Sequence, residues 1–475
     1  MGAVSRNAPA TVFTLGGVCR PAQAFERLYG GDDRAFLYES LERKGGRGRY
    51  SFFGGRPSRS IQVRGESVEI EDEHGRTQRN GPLREVLRGI LRELPPVPPV
   101  APFPGGLVGY FAYDVVRRFE RLPERHAADP AEPDAWLLVP QEIVVCDHVE
   151  QRTHLILSNH SAEPRRVAEV RSAVLECSAD PESRTEPDDD GGVEAMPSNM
   201  TEREYCAAIE RAQEHVRAGD IFQTVLSQCF RFDWPHAAMP LYESLRRTNP
   251  SPYMYFLRLD DLHILGSSPE VLVRLEGRNV MIRPLAGTRP RGATPSDDAA
   301  LEADLKSDPK ERAEHIMLVD LARNDIGRVC RPGSVRVVGL LETERFSRVM
   351  HLVSQVTGEL DPRCDALDLL EATFPAGTVS GAPKIRAMEI IDELEPSRRG
   401  VYAGAIGYLS RSGDMDLCIA IRTIVLRCGV GRIQAGAGVV ADSVPRREYE
   451  ETLNKARGLM RAVTEACRRL GGDAM

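Results

Sequence analysis

SDPKERAEHIMLVDLARNDIGRV, residues 307–329, is the stretch from which the rest of the chain can be read. Asp308 stands where a helix N-cap belongs, and Pro309 follows just inside, where its missing N–H costs nothing. Glu311 and Glu314 are three apart, so on a helix they share one face. SVPRREYEETLNKA, residues 443–456, repeats the plan, with Pro445 near the first turn and Glu448 and Glu451 three apart. One such pair is ordinarily a solvated helix face. Two pairs, with glycine-rich apolar strands between them, predict carboxylates converging on one hard cation.

The segments around these helices supply further chemistry. In HILGSSPEVLVRL (263–275) an apolar strand breaks at Ser-Ser-Pro, and Glu270 sits at the break. Desolvation there favours the neutral acid. RPLAGTRPRG (283–292) and FPAGTVSGAPK (374–384) read as turns rich in Gly, Ser and Thr. The second precedes a helix, a natural place for an anionic group. VYAGAIGYL (401–409), MDLCIAIRTIV (415–425) and RIQAGAGVV (432–440) read as core strands whose interior glycines mark close approach of a ligand or backbone. Arg422 inside an apolar strand calls for a partner, either a structural ion pair or a bound carboxylate matched to its planar fork. With Lys455, these residues describe an enzyme acting on a small dicarboxylate, without naming the substrate.

The 475-residue chain divides into a mixed region 1–177, an acidic Pro/Gly-containing linker 178–200 and a second region 201–470. In the first, FLYES (36–40), RYSFFGG (49–55) and SIQVRG read as strands separated by glycine turns, and WLLVPQEIVVCDH with THLILSNH reads as a hairpin. A net charge of −8 argues against nucleic acid as a partner. No apolar run reaches the roughly 20 residues that span a bilayer. The first residues lack the apolar core of a secretory signal. The ten cysteines are scattered singly, which suits reduced core residues of a cytoplasmic protein.

DPKERAEHIMLVDLARNDIGRV, RPLAGTRPRG, FPAGTVSGAPKIRAMEIIDELEP, YAGAIGYLS, DLCIAIRT and AGAGVVADSVPRREYEETLNKA closely resemble the chorismate-utilising enzymes, nearest to the anthranilate synthase component I type. The resemblance is strong over residues 200–465 and weaker before, through LYES, RYSFFG and FPGGLVGYFAYD. It implies an α+β fold: two large antiparallel sheets packed as a sandwich around the site, with helices outside. It implies that Glu314 and Glu451 ligate Mg²⁺, with Glu311 and Glu448 close by, partly through water; Mg²⁺ keeps waters and takes few carboxylates. The ring carboxylate of chorismate would meet the metal beside Gly436, Gly438 and Lys455. Gly287 and Thr288 in one turn, and Thr378, Ser380 and Gly381 in the other, would contact the substrate. Tyr402 and Arg422 would hold the enolpyruvyl carboxylate. Glu270 would protonate the leaving hydroxyl, and His351, an imidazole titrating near neutral pH, would serve the later loss of pyruvate.

Two positions sort the branches of that family. Related water-adding synthases carry a lysine where this chain has Gln223, and glutamine is no general base. The turn PLAGT has Ala286 where aminodeoxychorismate synthases commonly carry a nucleophilic lysine. Both differences favour ammonia adding to the ring, then loss of pyruvate to give anthranilate for tryptophan biosynthesis. An aminodeoxyisochorismate synthase, which keeps the pyruvate, and an aminodeoxychorismate synthase component I remain the alternatives. The chain shows no glutaminase nucleophile, so a glutamine amidotransferase partner is implied. The resemblance also implies tryptophan as feedback inhibitor, bound by Glu39, Ser40, Pro252, Tyr253, Met254 and Cys418, with Tyr38 standing where the family motif has leucine.

Overall fold

Two long strands carry the architecture. Tyr50–Arg64 and Ala135–Asp147 pair antiparallel along their lengths, with a register shift beside Pro57, which faces Pro140. The computed structural model describes residues 10–41, 48–97, 99–158, 164–177, 196–345 and 349–471. From Tyr50–Gly55 the ladder runs outward through Arg34–Glu39, Tyr253–Leu259, Leu262–Ser268, Thr423–Arg427 and Val430–Val439 to Gln223–Asp233. From Ala135–Val139 a second ladder runs through Gly106–Phe111, Ala405–Ser410, Met415–Ile419, Val271–Glu276 and Asn279–Ile282 to Val349–Glu359. Each of these pairings is antiparallel. The two expected sheets are therefore present, joined edge to edge through the two long strands.

Between the sheets lies an aromatic-rich interior that includes Phe36, Phe52, Phe103, Tyr255 and Tyr408. The outer face of the first sheet is covered by helices Pro21–Tyr29, Pro164–Glu176, Ala238–Thr248 and Pro445–Leu470. The outer face of the second is covered by Leu83–Glu93, Pro309–Gly327 and Ala366–Thr373. This is the α+β sandwich with outer helices that the sequence predicts. Each ladder begins with strands from region 1–177 and continues with strands from 201–470, so the two regions share their sheets. Residues 178–195 of the expected linker lie outside the described residues, and Ser198 already bridges to Phe230 of a core strand.

Three local readings change. RYSFFGG and SIQVRG are one strand, because Gly54 lets two backbones approach and makes no turn: a Cβ there would lie 2.1 Å from the Glu142 carbonyl. RPLAGTRPRG is no open turn either; Leu285–Pro290 pairs with Val349–Val353, and the ladder slips at Gly287, whose φ of +67° produces the bulge. Arg422 is not inside a strand. MDLCIAIRTIV divides into Met415–Ile419 and Thr423–Arg427, and Arg422 stands in the break with φ +52°.

Candidate active site

Helix Pro309–Gly327 begins as its sequence dictates. The Asp308 carboxylate caps it by accepting from the N–H groups of Lys310 and Glu311. One turn in, Glu314 turns toward the edge strand Gln223–Asp233, where the Gln223 amide donates to it at 3.1 Å. Across the gap, Gly438 leaves room for this contact: a side chain there would meet Gln223 Nε2 at 2.7 Å and Glu314 Oε1 at 3.7 Å. Burial raises the Glu314 carboxyl above its ordinary range, and the carboxylates of Glu311 and Glu451 push the same way. Glu448 is raised likewise by burial and by Glu451. The two Glu-x-x-Glu helices thus bring their acids within electrostatic reach of one another.

Each outer member of the group has a cationic partner. Arg289 holds Glu311 at 3.1 Å, and Lys455 holds Glu451 at 2.6 Å while also donating to the Gly436 carbonyl at 2.9 Å. Among the described residues no three His, Cys, Asp or Glu side chains close around a point tightly enough to hold an ion unaided. The donor chemistry still fits a hard divalent cation: carboxylate oxygens, partly buried, with their negative charge incompletely matched. Such an ion would take one or two of these carboxylates and complete its sphere with water and a substrate oxygen.

Glu270 lies where the strand break put it, 6% exposed. Burial pushes its carboxyl up to about 8, and the neighbouring Thr378 hydroxyl and Leu285 N–H draw it only part of the way back. It is therefore a protonated acid at neutral pH. Arg422 is half-buried; desolvation lowers its guanidinium, while Tyr402 and Glu451 favour its charge. No carboxylate lies within ion-pair distance of it among the described residues, so the structural ion pair is not what holds this arginine. A non-glycine residue kept at positive φ stores strain, and such strain concentrates at functional positions. The Tyr402 hydroxyl faces Gly436, where a Cβ would approach it to 2.8 Å.

His351 pairs across the ladder with Thr288. Its Nδ1 lies 2.9 Å from the Gly287 carbonyl and 3.0 Å from the Thr288 hydroxyl. A carbonyl only accepts, so Nδ1 carries the hydrogen and Nε2 is the ring's basic nitrogen. Burial lowers the imidazole to about 4, against the expectation of titration near neutral pH. The residue is a neutral base throughout the physiological range. Gly287 also backs onto Glu311, whose Oε2 a Cβ would meet at 3.0 Å. The Ser380 hydroxyl donates to the Ala376 carbonyl at 2.8 Å, closing its own turn, and Gly381 pairs with Thr224. The Gln223 Oε1 is buried without a hydrogen-bond partner among the described residues.

A cavity of about 460 Å³ opens beside this group. Glu39, Ser40, Pro252, Tyr253, Met254 and Cys418 all line it, as does Glu270. Glu39 is locked by Tyr242 at 2.7 Å and Arg246 at 2.8 Å, and the Tyr38 hydroxyl donates to the Gly407 carbonyl at 3.0 Å. Sequence reasoning overlooked Arg289, the buried pair Glu395–Arg399 and the Asp416–Arg274 pair that meets Tyr253 in this cavity. A charged residue read by itself looks solvent-facing until the groups packed around it are known.

Fold and site together define the class. The chain belongs to the chorismate-binding enzymes, whose family model matches residues 40–461. Within that family its relatives are anthranilate synthase component 1 proteins. That of Streptomyces coelicolor is 46% identical over 94% of this chain and 87% of its own length. That of Cereibacter sphaeroides is 46% identical over 91% of this chain and 89% of its own. The crystal structure of anthranilate synthase component I from Streptococcus pneumoniae covers 94% of this chain and 99% of that one, at 37% identity and a TM-score of 0.75.

Proposed function

We propose that this chain is the large component of an anthranilate synthase, a lyase that converts chorismate and ammonia to anthranilate and pyruvate. The observation that carries the reading is the neutral Glu270 facing a site that also holds Arg422 without an ion-pair partner and four glutamates, of which only Glu311 and Glu451 have a cationic partner. Arg422 and Tyr402 hold the enolpyruvyl carboxylate. Glu270 gives its proton to the departing ring hydroxyl, which leaves as water. Gln223 offers no base to activate water, but its buried amide oxygen can accept an N–H, so ammonia is the nucleophile that bonds to the ring carbon beside the carboxylate. In the second step His351 takes the proton from that carbon, the ether C–O bond breaks and its electron pair leaves with enolpyruvate as the ring becomes aromatic; enolpyruvate gains a proton at its methylene carbon to become pyruvate.

Glu314 and Glu451, with Glu311 and Glu448 beside them, would hold Mg²⁺. When bound, that ion anchors the ring carboxylate and neutralises the charge it brings. Lys455 steadies the same end of the substrate through Glu451 and the Gly436 carbonyl. Gly287, Thr288, Thr378 and Gly438 shape the cleft between the two ends.

The relatives' name, component 1, supports a second component, and a glutamine amidotransferase that releases ammonia is the partner the chemistry asks for. The cavity holding Glu39, Ser40 and Met254 supports tryptophan as an inhibitor, because its wall is shared with Glu270. The free cysteines support a cytoplasmic location; among the described residues no helix is long and apolar enough to cross a membrane. Incubation with chorismate, Mg²⁺ and ammonium tests the reading. Equal amounts of anthranilate and pyruvate are expected, and an aminated product that keeps its enolpyruvyl group would assign the chain to a pyruvate-retaining branch.

A further inference from the structure

Arg399 lies 5% exposed in the turn that follows helix Lys384–Leu394, and its guanidinium reaches three other elements at once. Its Nε and Nη2 donate to both oxygens of Glu395, at 2.9 and 2.6 Å. Its Nη1 donates to the Val379 carbonyl at 2.7 Å, and Nη2 to the Val225 carbonyl at 2.6 Å. The same group lies 4.7 Å from the ring centre of Tyr113 and 5.6 Å from that of Tyr402. Glu395, 4% exposed, is fixed in turn by the Ser227 N–H and hydroxyl, each at 2.8 Å.

Four of the groups in this network, Val379, Val225, Ser227 and Tyr402, adjoin the site. Val379 follows Thr378, which borders Glu270. Val225 lies two residues after Gln223 on the same strand. Ser227 pairs with Gly436 across the ladder. Tyr402 faces Gly436 directly. A buried ion pair of this kind is poor evidence for stability, because desolvating two charges offsets most of their attraction. What a planar guanidinium with its donors in a fixed fork does supply is geometry.

We propose that Arg399, locked by Glu395, is a positioning residue for the chorismate reaction, setting Tyr402, the Thr378 turn and the Gln223 strand relative to one another. This rests on the chorismate reading. The residue need not touch substrate; it acts through those that do.

The test compares Arg399→Lys and Glu395→Gln with the unmodified chain, using chorismate, Mg²⁺ and ammonium without any partner. Lysine keeps the charge and can still meet Glu395, but it cannot bond to Val379 and Val225 in one plane. The expected result is a fall in kcat/KM for chorismate of about 100-fold, the scale of a misplacement near 1 Å. The Michaelis constant for ammonium should rise as well, because Gln223, which accepts the ammonia N–H, lies on the strand that Arg399 holds at Val225. The alkaline limb of the pH profile should also move, because the Thr378 turn borders the acid. A purely structural role would lower the melting temperature and the yield, yet leave the limb and the turnover per folded molecule in place; that result overturns the proposal. So does an unchanged kcat/KM in both variants. Absence of turnover by the unmodified chain refutes the chorismate reading and the proposal with it, whereas a normal Arg399→Lys enzyme refutes the proposal alone.

Discussion

Glu270→Gln should produce a protein that is both inactive and more stable, with a gain in stability that grows with pH. The folded carboxyl is pushed up to about 8 from an ordinary value of 4.5. Between those two values the unfolded chain has released its proton while the folded chain retains it. The unfolded state then binds fewer protons, so stability falls as pH rises. At pH 7 the accumulated penalty is about 3 kcal/mol, from 1.36 kcal/mol for each pH unit above 4.5. Above about pH 8 the folded carboxyl ionises too, and the penalty levels off. Glutamine has the same shape, keeps an oxygen for the Leu285 N–H and never ionises, so it escapes the penalty. Urea unfolding of both proteins at pH 5, 7 and 8 reads the difference directly. Near pH 5 the two should unfold almost together, and at pH 8 the variant should be the more resistant by several kcal/mol, on the order of the shift itself. Meanwhile turnover should fall by about 10²–10⁴, the usual contribution of a positioned general acid. In the unmodified enzyme kcat/KM should decline as pH rises through about 8. A stability difference that is the same at pH 5 and pH 8 would show that Glu270 is not held neutral by burial and would remove the acid from the mechanism.

Other outcomes follow from the same geometry. Glu314→Gln and Glu451→Gln should each abolish Mg²⁺-dependent turnover while circular dichroism stays unchanged, at a cost of several kcal/mol of transition-state stabilisation; activity indifferent to EDTA would contradict the metal. His351→Met should still consume chorismate and ammonium but accumulate the non-aromatic amino intermediate, detectable by mass, whereas equal loss of both steps would make the histidine a general binding residue. Ser40 substitution should weaken inhibition by tryptophan in a dose–response assay, and calorimetry showing no binding by the unmodified chain would empty that cavity of its assigned ligand.

The architecture was legible because its signals are local and redundant. Asp308–Pro309 announces a helix whether or not anything packs on it, and the capping box Thr201–Glu204 opens the helix Glu202–Ala218 in the same local way. Two of the errors fall where a glycine serves a close backbone approach or a bulge and not a turn. Gly54 is in mid-strand because the Glu142 backbone presses against it, and no pattern within RYSFFGG contains that neighbour. The same holds for His351. Its imidazole is neutral because the sheet buries it against Gly287, and burial is not written beside residue 351. Arg399 was the hardest to foresee: with Glu395 four residues away it looks like an ordinary exposed pair, and only the packing of Val225, Val379 and Tyr402 around it shows otherwise.

The central claim is that one site adds ammonia to chorismate and then expels pyruvate. Mass analysis of the products from chorismate, Mg²⁺ and ammonium tests it most directly, with pyruvate measured in the same samples. The account predicts anthranilate and pyruvate in equal amounts and little isochorismate. Robust isochorismate formation, or an amino product with no pyruvate released, would contradict it.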